Sequence, residues 1–263
     1  MRTGPEMASR PEIRIGAAQA DPPAVEWVNA DSDSPILLVC EHAGQAIPAD
    51  LEGLGLAPGV IDLHVGWDIG AEDLARALAD RLGAPLILQR YSRLVIDCNR
   101  PKGTAWSIPE VSDRIEIPGN IELEAAARRW REETIFDPLD RAFATGFDRA
   151  PRKAAFSIHS FTRQLQDERR LCDAGFLTRR DTDAARILID TIGAVAPDLK
   201  LALNEPYRIE DDGDWFIPAH AEPRGVRHAL VEVCNDQLRD AAGVARWADL
   251  LALGLRAVLA ATP

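Results

Sequence analysis

Short runs of Val, Ile and Leu with no polar face alternate along this chain with stretches of helical period, and that alternation narrows the fold more than any other feature. Ile36-Leu37-Leu38-Val39-Cys40 is uniformly apolar, as a strand covered on both sides in a parallel sheet must be. Further strands are expected over 85–90, 93–98, 154–159, 199–203 and 228–234. A helix over 70–82 carries Leu74, Leu78 and Leu82 in one stripe and stops at Gly83. A charged helix is expected from an Asn120 cap toward Ala144, interrupted by Pro138. Others start near Asp181, with Leu188, Ile192 and Val195 on one face, and over 242–261. The pattern reads as a single α/β domain over 34–263 with a mixed, mostly parallel central sheet flanked by helices. A polar, proline-containing stretch over 1–33 is expected to be a loosely structured arm.

Charge and composition exclude several functions. The 263 residues carry 30 Lys+Arg against 42 Asp+Glu, a net charge of -12, so a general nucleic-acid binder is not expected. Any anion site must therefore be built locally from a few Arg or His side chains. No apolar run approaches the roughly 18–20 residues of a membrane helix, and the N-terminal stretch lacks a signal-peptide core. Cys40, Cys98, Cys172 and Cys234 form no CxxC pair and read as buried, reduced thiols of a cytoplasmic protein. Phosphate loops and the GxSxG elbow are missing. Nothing in the sequence sets the oligomeric state.

In open α/β sheets, functional groups collect beyond the carboxyl ends of the strands. Here one strand runs into Glu41-His42-Ala43-Gly44, another into Asn99-Arg100-Pro101 and a third into His159-Ser160-Phe161, while the last holds Glu232 in an apolar run. His42 and His159 are candidate ligands of Zn²⁺, which takes three protein ligands in catalytic sites. Asp68, Glu41, Asp62 and His64 compete for the third place, with Asp68 favoured although it could instead cap the helix that follows. Glu41 would face away from His42 if the strand persisted. Glu232 suits a general base whose burial raises its pKa, or alternatively a salt bridge to Arg93 or Arg227. Asn99 and Arg100 suit a carboxylate clamp, with Arg93 and Asp97 in support. Arg227 and His220 extend the pocket or belong to a loop.

These residues resemble the N-formylglutamate amidohydrolase family, most closely its paralogous branch. The resemblance rests on Val39–Gly44 with Ile47-Pro48, Asp68-Ile69-Gly70-Ala71, Tyr91–Arg100, Ile117–Asn120, Ile158–Thr162 and Asn204-Glu205-Pro206-Tyr207. It implies a fold similar to zinc carboxypeptidases and aspartoacylases. It also implies His42 and His159 as ligands of zinc (or another divalent metal such as Co²⁺), Asn99-Arg100 at the substrate carboxylate and Glu232 as base. The substrate implied is a small anionic N-acyl amino acid, N-formyl-L-glutamate-like, cleaved to the acid and free amino acid. The chain departs from the family after His159, where Thr162–Leu171 replaces a Pro- and Gly-containing turn before an Arg-Pro pair, and at Cys234, where relatives usually carry Arg. A metal-free binding or regulatory protein on the same scaffold is therefore an alternative expectation, and a peptidase a third.

Overall fold

The computed structural model describes residues 21–211 and 213–262. In chain order the elements are β1 (Val25–Val28), β2 (Ile36–Cys40), α1 (Ala71–Leu82) and β3 (Leu86–Gln89). A small hairpin of β4 (Val111–Ser112) and β5 (Ile115–Glu116) follows, then α2 (Ala125–Arg131) and α3 (Asp137–Asp148). β6 (Ala154–Phe161) leads into a second hairpin, β7 (Gln164–Leu165) and β8 (Glu168–Arg169). β9 (Ala174–Leu177), α4 (Thr182–Val195), β10 (Leu201–Leu203), β11 (Arg227–Cys234) and α5 (Ala241–Ala260) complete the chain.

Seven strands form one sheet in the order β1-β3-β2-β6-β11-β9-β10. The β3–β2, β2–β6, β6–β11 and β9–β10 pairs are parallel, whereas β1–β3 and β11–β9 are antiparallel. The mixed, mostly parallel sheet flanked by helices is thus as expected. Side chains alternate between its faces, because successive residues of a strand point to opposite sides. Leu38, Phe156, Ile158, Val231 and Val233 pack with α1, α4 and α5, where Trp247 is wholly buried. Leu37, Val39, Ala155 and Leu230 face the other layer, with Phe136, Leu139 and Phe143 of the α2–α3 stretch. Ser157, His159 and Glu232 have the parity of this second layer, toward the carboxyl ends of β6 and β11.

Several local expectations are corrected. Within the stretch read as a loose arm, Val25–Val28 forms the edge strand β1, paired to β3; residues 1–20 of that arm lie outside the described residues. The run over 93–98 is not a strand but a buried series of turns. Its carbonyls are satisfied from outside: Asn120 Nδ2 donates to Leu94 O at 2.9 Å and Arg131 Nη1 to Val95 O at 2.9 Å. Leu94, Val95 and Ile96 are apolar because they fill the second core layer. Asn120 therefore braces this loop rather than capping a helix, and α2 starts at Ala125. Pro138, which lacks an N–H, follows a π turn over Glu132–Phe136 that carries the helix across the break. β1 and β9 were not foreseen; β9 reads Ala-Gly-Phe-Leu, too short to show a period. All four cysteines are free and buried.

Candidate metal centre and active site

Strand β2 stops at Cys40, and the chain turns at Glu41-His42, so both side chains enter one buried cluster. Gly44 permits this path: a Cβ there would lie 1.9 Å from Arg90 O, so the two backbones could not come this close with any side chain in between. His159 arrives on β6 and Asp68 from the loop before α1. His42, Asp68 and His159 each offer a ligand atom, all within 4.8 Å of one another. The two imidazole centroids stand 4.8 Å apart. Asp68 does not cap α1 with its carboxylate; its backbone carbonyl accepts from Ala71 N, and Ser160 N donates to Oδ2 at 3.2 Å.

The proton positions follow from the surrounding charges. Against the effect of burial, Arg93 and His42 hold the Asp97 carboxyl well below its usual range. Asp97 is thus an acceptor only, and His42 Nε2 donates to its Oδ1 at 2.7 Å. That leaves His42 Nδ1, buried and without a hydrogen-bond partner, 3.5 Å from Asp68 Oδ1. His159 is built likewise. Its Nε2 donates to Ser157 Oγ at 2.7 Å and lies 3.2 Å from Glu41 Oε2, while Ser157 Oγ donates to the same Glu41 oxygen at 2.6 Å. Burial opposes ionisation of Glu41, but His159 and Ser157 outweigh it and keep this carboxylate charged. His159 Nδ1 turns to Asp68 Oδ2 at 2.8 Å, and the two imidazoles keep Asp68 ionised despite its burial. Two imidazole nitrogens and a carboxylate, with each far nitrogen tied to an anion, are a donor set that fits zinc or a similar divalent cation.

A family model for N-formylglutamate amidohydrolase matches residues 34–239. The chain belongs to this family. As a member of the N-formylglutamate amidohydrolases it falls among hydrolases of amide bonds. Its fold matches that of gene product Atu2144 from Agrobacterium tumefaciens at 34% identity, with a TM-score of 0.85 over 90% of this chain and 95% of that one. The N-formylglutamate amidohydrolase from Ralstonia eutropha JMP134 is similar in fold, with a TM-score of 0.63 at 18% identity over 90% and 98% of the two chains. No curated protein matches the sequence.

The remaining residues of this amidohydrolase divide in two. Glu232 pairs in register with His159 across β6 and β11, on the same face. It forms no ion pair with Arg93 or Arg227, and its Oε2 is buried without a partner. Burial is the main cause that pushes its carboxyl up to about 7, with His159 opposing and Asp68 adding. Arg93 Nη2 is fixed on Asp97 Oδ2 at 2.6 Å. Arg100 is held more loosely, 3.6 Å from Asp214 Oδ1 and 4.0 Å from Asp97 Oδ2, so its donors remain available. Asn99 Nδ2 donates to Asp214 Oδ1, and its Oδ1 accepts from Trp215 N and Phe216 N. Both ends of this side chain are thus engaged, with one N–H of Nδ2 beyond its bond to Asp214. Arg227 is a correction. It begins β11, five residues and roughly 17 Å before Glu232, and pairs with Asp181 at 2.6 Å. His64 bonds Asp113 and Asp62 lies near Gln45, so neither joins the cluster. His220 packs between Phe143 and Phe216 and bonds Asp140.

The sequence offers Glu41 as a candidate third ligand, facing away only if β2 persists; the strand stops at Cys40, and Glu41 instead backs His159 and Ser157. Ser157 carried a signal that went unread: it stands two residues before His159 and so shares its face. Among the described residues no helix is long and apolar enough to cross a membrane.

Proposed function

We propose that this chain is a metal-dependent hydrolase of a small anionic N-acyl amino acid, N-formyl-L-glutamate-like, releasing the acid and the free amino acid. The observation that carries the reading is the buried convergence of His42, Asp68 and His159 beside an unpartnered Glu232. A divalent ion held by those three residues supplies Lewis acidity, which acidifies water and polarises an amide carbonyl. Arg100 binds the substrate α-carboxylate and sets the register of the scissile amide. Glu232, ionised, takes a proton from the attacking water and returns it to the leaving amine as the C–N bond breaks. Asp97 and Glu41 keep the two imidazoles oriented, and Arg93 holds Asp97 in place.

The test is elemental analysis and N-formyl-L-glutamate hydrolysis for the wild type, His42→Ala and His159→Ala. About one zinc or cobalt per chain, lost with activity in both variants, supports the proposal. Metal content and turnover that survive both changes refute it. Wild type that retains no added Zn²⁺ or Co²⁺ and binds N-formyl-L-glutamate without turnover would favour the metal-free binding protein instead.

A further inference from the structure

We propose that Arg170 reads a second, side-chain carboxylate of the substrate and so makes the site selective for acidic amino acids. This deepens the amidohydrolase reading and rests on it. The other arginines around the cluster have acidic partners: Arg93 has Asp97 and Asp68, Arg100 has Asp214 and Asp97, and Arg163 is clamped by Asp173 and Asp236. Arg170 is 5% exposed, yet among the described residues it makes no ion pair. Its Nη1 reaches the Thr162 carbonyl at 3.4 Å, and its other neutral partner is the Tyr207 hydroxyl. A buried guanidinium without an anion is costly, and the cost is relieved when a ligand brings one.

Its position is where a substrate side chain could reach it. The β7–β8 hairpin grows from the end of β6, the strand that carries His159, and Arg170 folds back to within 5.7 Å of the Phe161 ring centroid. On the other side it lies 4.4 Å from the Tyr207 ring centroid. The Tyr207 segment crosses the sheet at Gly175, where a Cβ would meet Glu205 O at 1.6 Å, and Gly175 is the β9 register partner of Glu232. Burial, then the charge of Glu232, pushes the Tyr207 hydroxyl up to about 12, with Arg170 opposing both. A guanidinium stacked on an aromatic face holds its donors in a fixed plane, and neutral partners there leave its charge to be matched by a carboxylate. Arg100 and Arg170 come from separate segments of the chain, one for each carboxylate of the proposed substrate.

Calorimetric binding of L-glutamate and its isostere L-glutamine to the metal-loaded protein tests this. Wild type is expected to prefer glutamate, and Arg170→Gln to weaken glutamate by about 10- to 100-fold while leaving glutamine little changed. Arg170→Lys, with an unchanged circular dichroism spectrum, restores part of the preference. Arg169→Gln, which removes the same charge from the exposed neighbour, leaves it intact. A wild type without preference, or a preference that Arg170→Gln retains, overturns the assignment. Hydrolysis of N-formyl-L-glutamate is followed in parallel. Its absence alongside an Arg170-dependent preference supports Arg170 and counts only against the amidohydrolase reading, while hydrolysis with an Arg170-independent preference rejects Arg170 alone.

Discussion

His42 Nε2 lies 2.7 Å from Asp97 Oδ1, and the other oxygen of that carboxylate receives Arg93 at 2.6 Å. One acid therefore fixes both the imidazole tautomer and the neighbouring cation. Asp97→Asn keeps the shape but removes the charge that favours an Nε2–H. Metal affinity is expected to fall about 10- to 100-fold, read by competition with a chromophoric chelator. An unchanged affinity would show that Asp97 does not orient His42.

Glu232 is the only carboxylate of the cluster without an ion pair among the described residues, and so the one free to move a proton. Glu232→Gln is expected to lower kcat by about 100- to 10,000-fold with little change in KM and full metal content. A larger effect on KM than on kcat would move Glu232 from proton transfer to substrate binding.

The same group sets a pH dependence of stability in the metal-free protein. Its folded value, about 7, lies above the ordinary 4.5 of an unfolded chain. Below pH 4.5 both states are protonated and Glu232 contributes no difference. As pH rises toward 7 the unfolded chain ionises first, so folding loses stability, by on the order of 3 kcal/mol once both are charged. Glu232→Gln should therefore become progressively more stable relative to wild type between pH 4.5 and 7, in urea titrations of the chelated protein. A difference that is flat over this window contradicts the raised pKa.

Arg100 and Arg227 should separate cleanly. Arg100→Ala is expected to raise KM about 10- to 100-fold with kcat largely kept, as loss of a charged hydrogen bond does. Arg227→Ala, at the far end of β11 and tied to Asp181, should leave KM unchanged and lower stability by about 1 kcal/mol at most. An effect of Arg227→Ala on KM equal to that of Arg100→Ala would overturn the placement of both.

What could be read from the sequence follows a physical divide. Ile36–Cys40 and the strands holding His159 and Glu232 announced themselves because covered strands must be apolar throughout. Polar residues at their ends stood out against that background. Leu94-Val95-Ile96 gave the same signal for a different cause, since a turn packed into a core needs the same side chains as a strand. Asn99 was read from its type and spacing as part of a carboxylate clamp, while its partners Asp214, Trp215 and Phe216 lie more than a hundred residues away and leave no local signal. Glu41 could be named, but its place behind His159 depends on where a strand ends, a matter of one residue that periodicity does not resolve. Asp68 could be named, but only the distances distinguish a cap from a ligand.

The pairing of β6 with β11 sets Glu232 against His159, and the residues between them alternate with Ile158 and Val231 on the opposite face. A single-residue slip of either strand would send imidazole or carboxylate into oil and turn aliphatic groups toward the reactants. Insertions here should thus be tolerated only in pairs, and selection for chemistry and selection for a dry interior act on one and the same odd–even count.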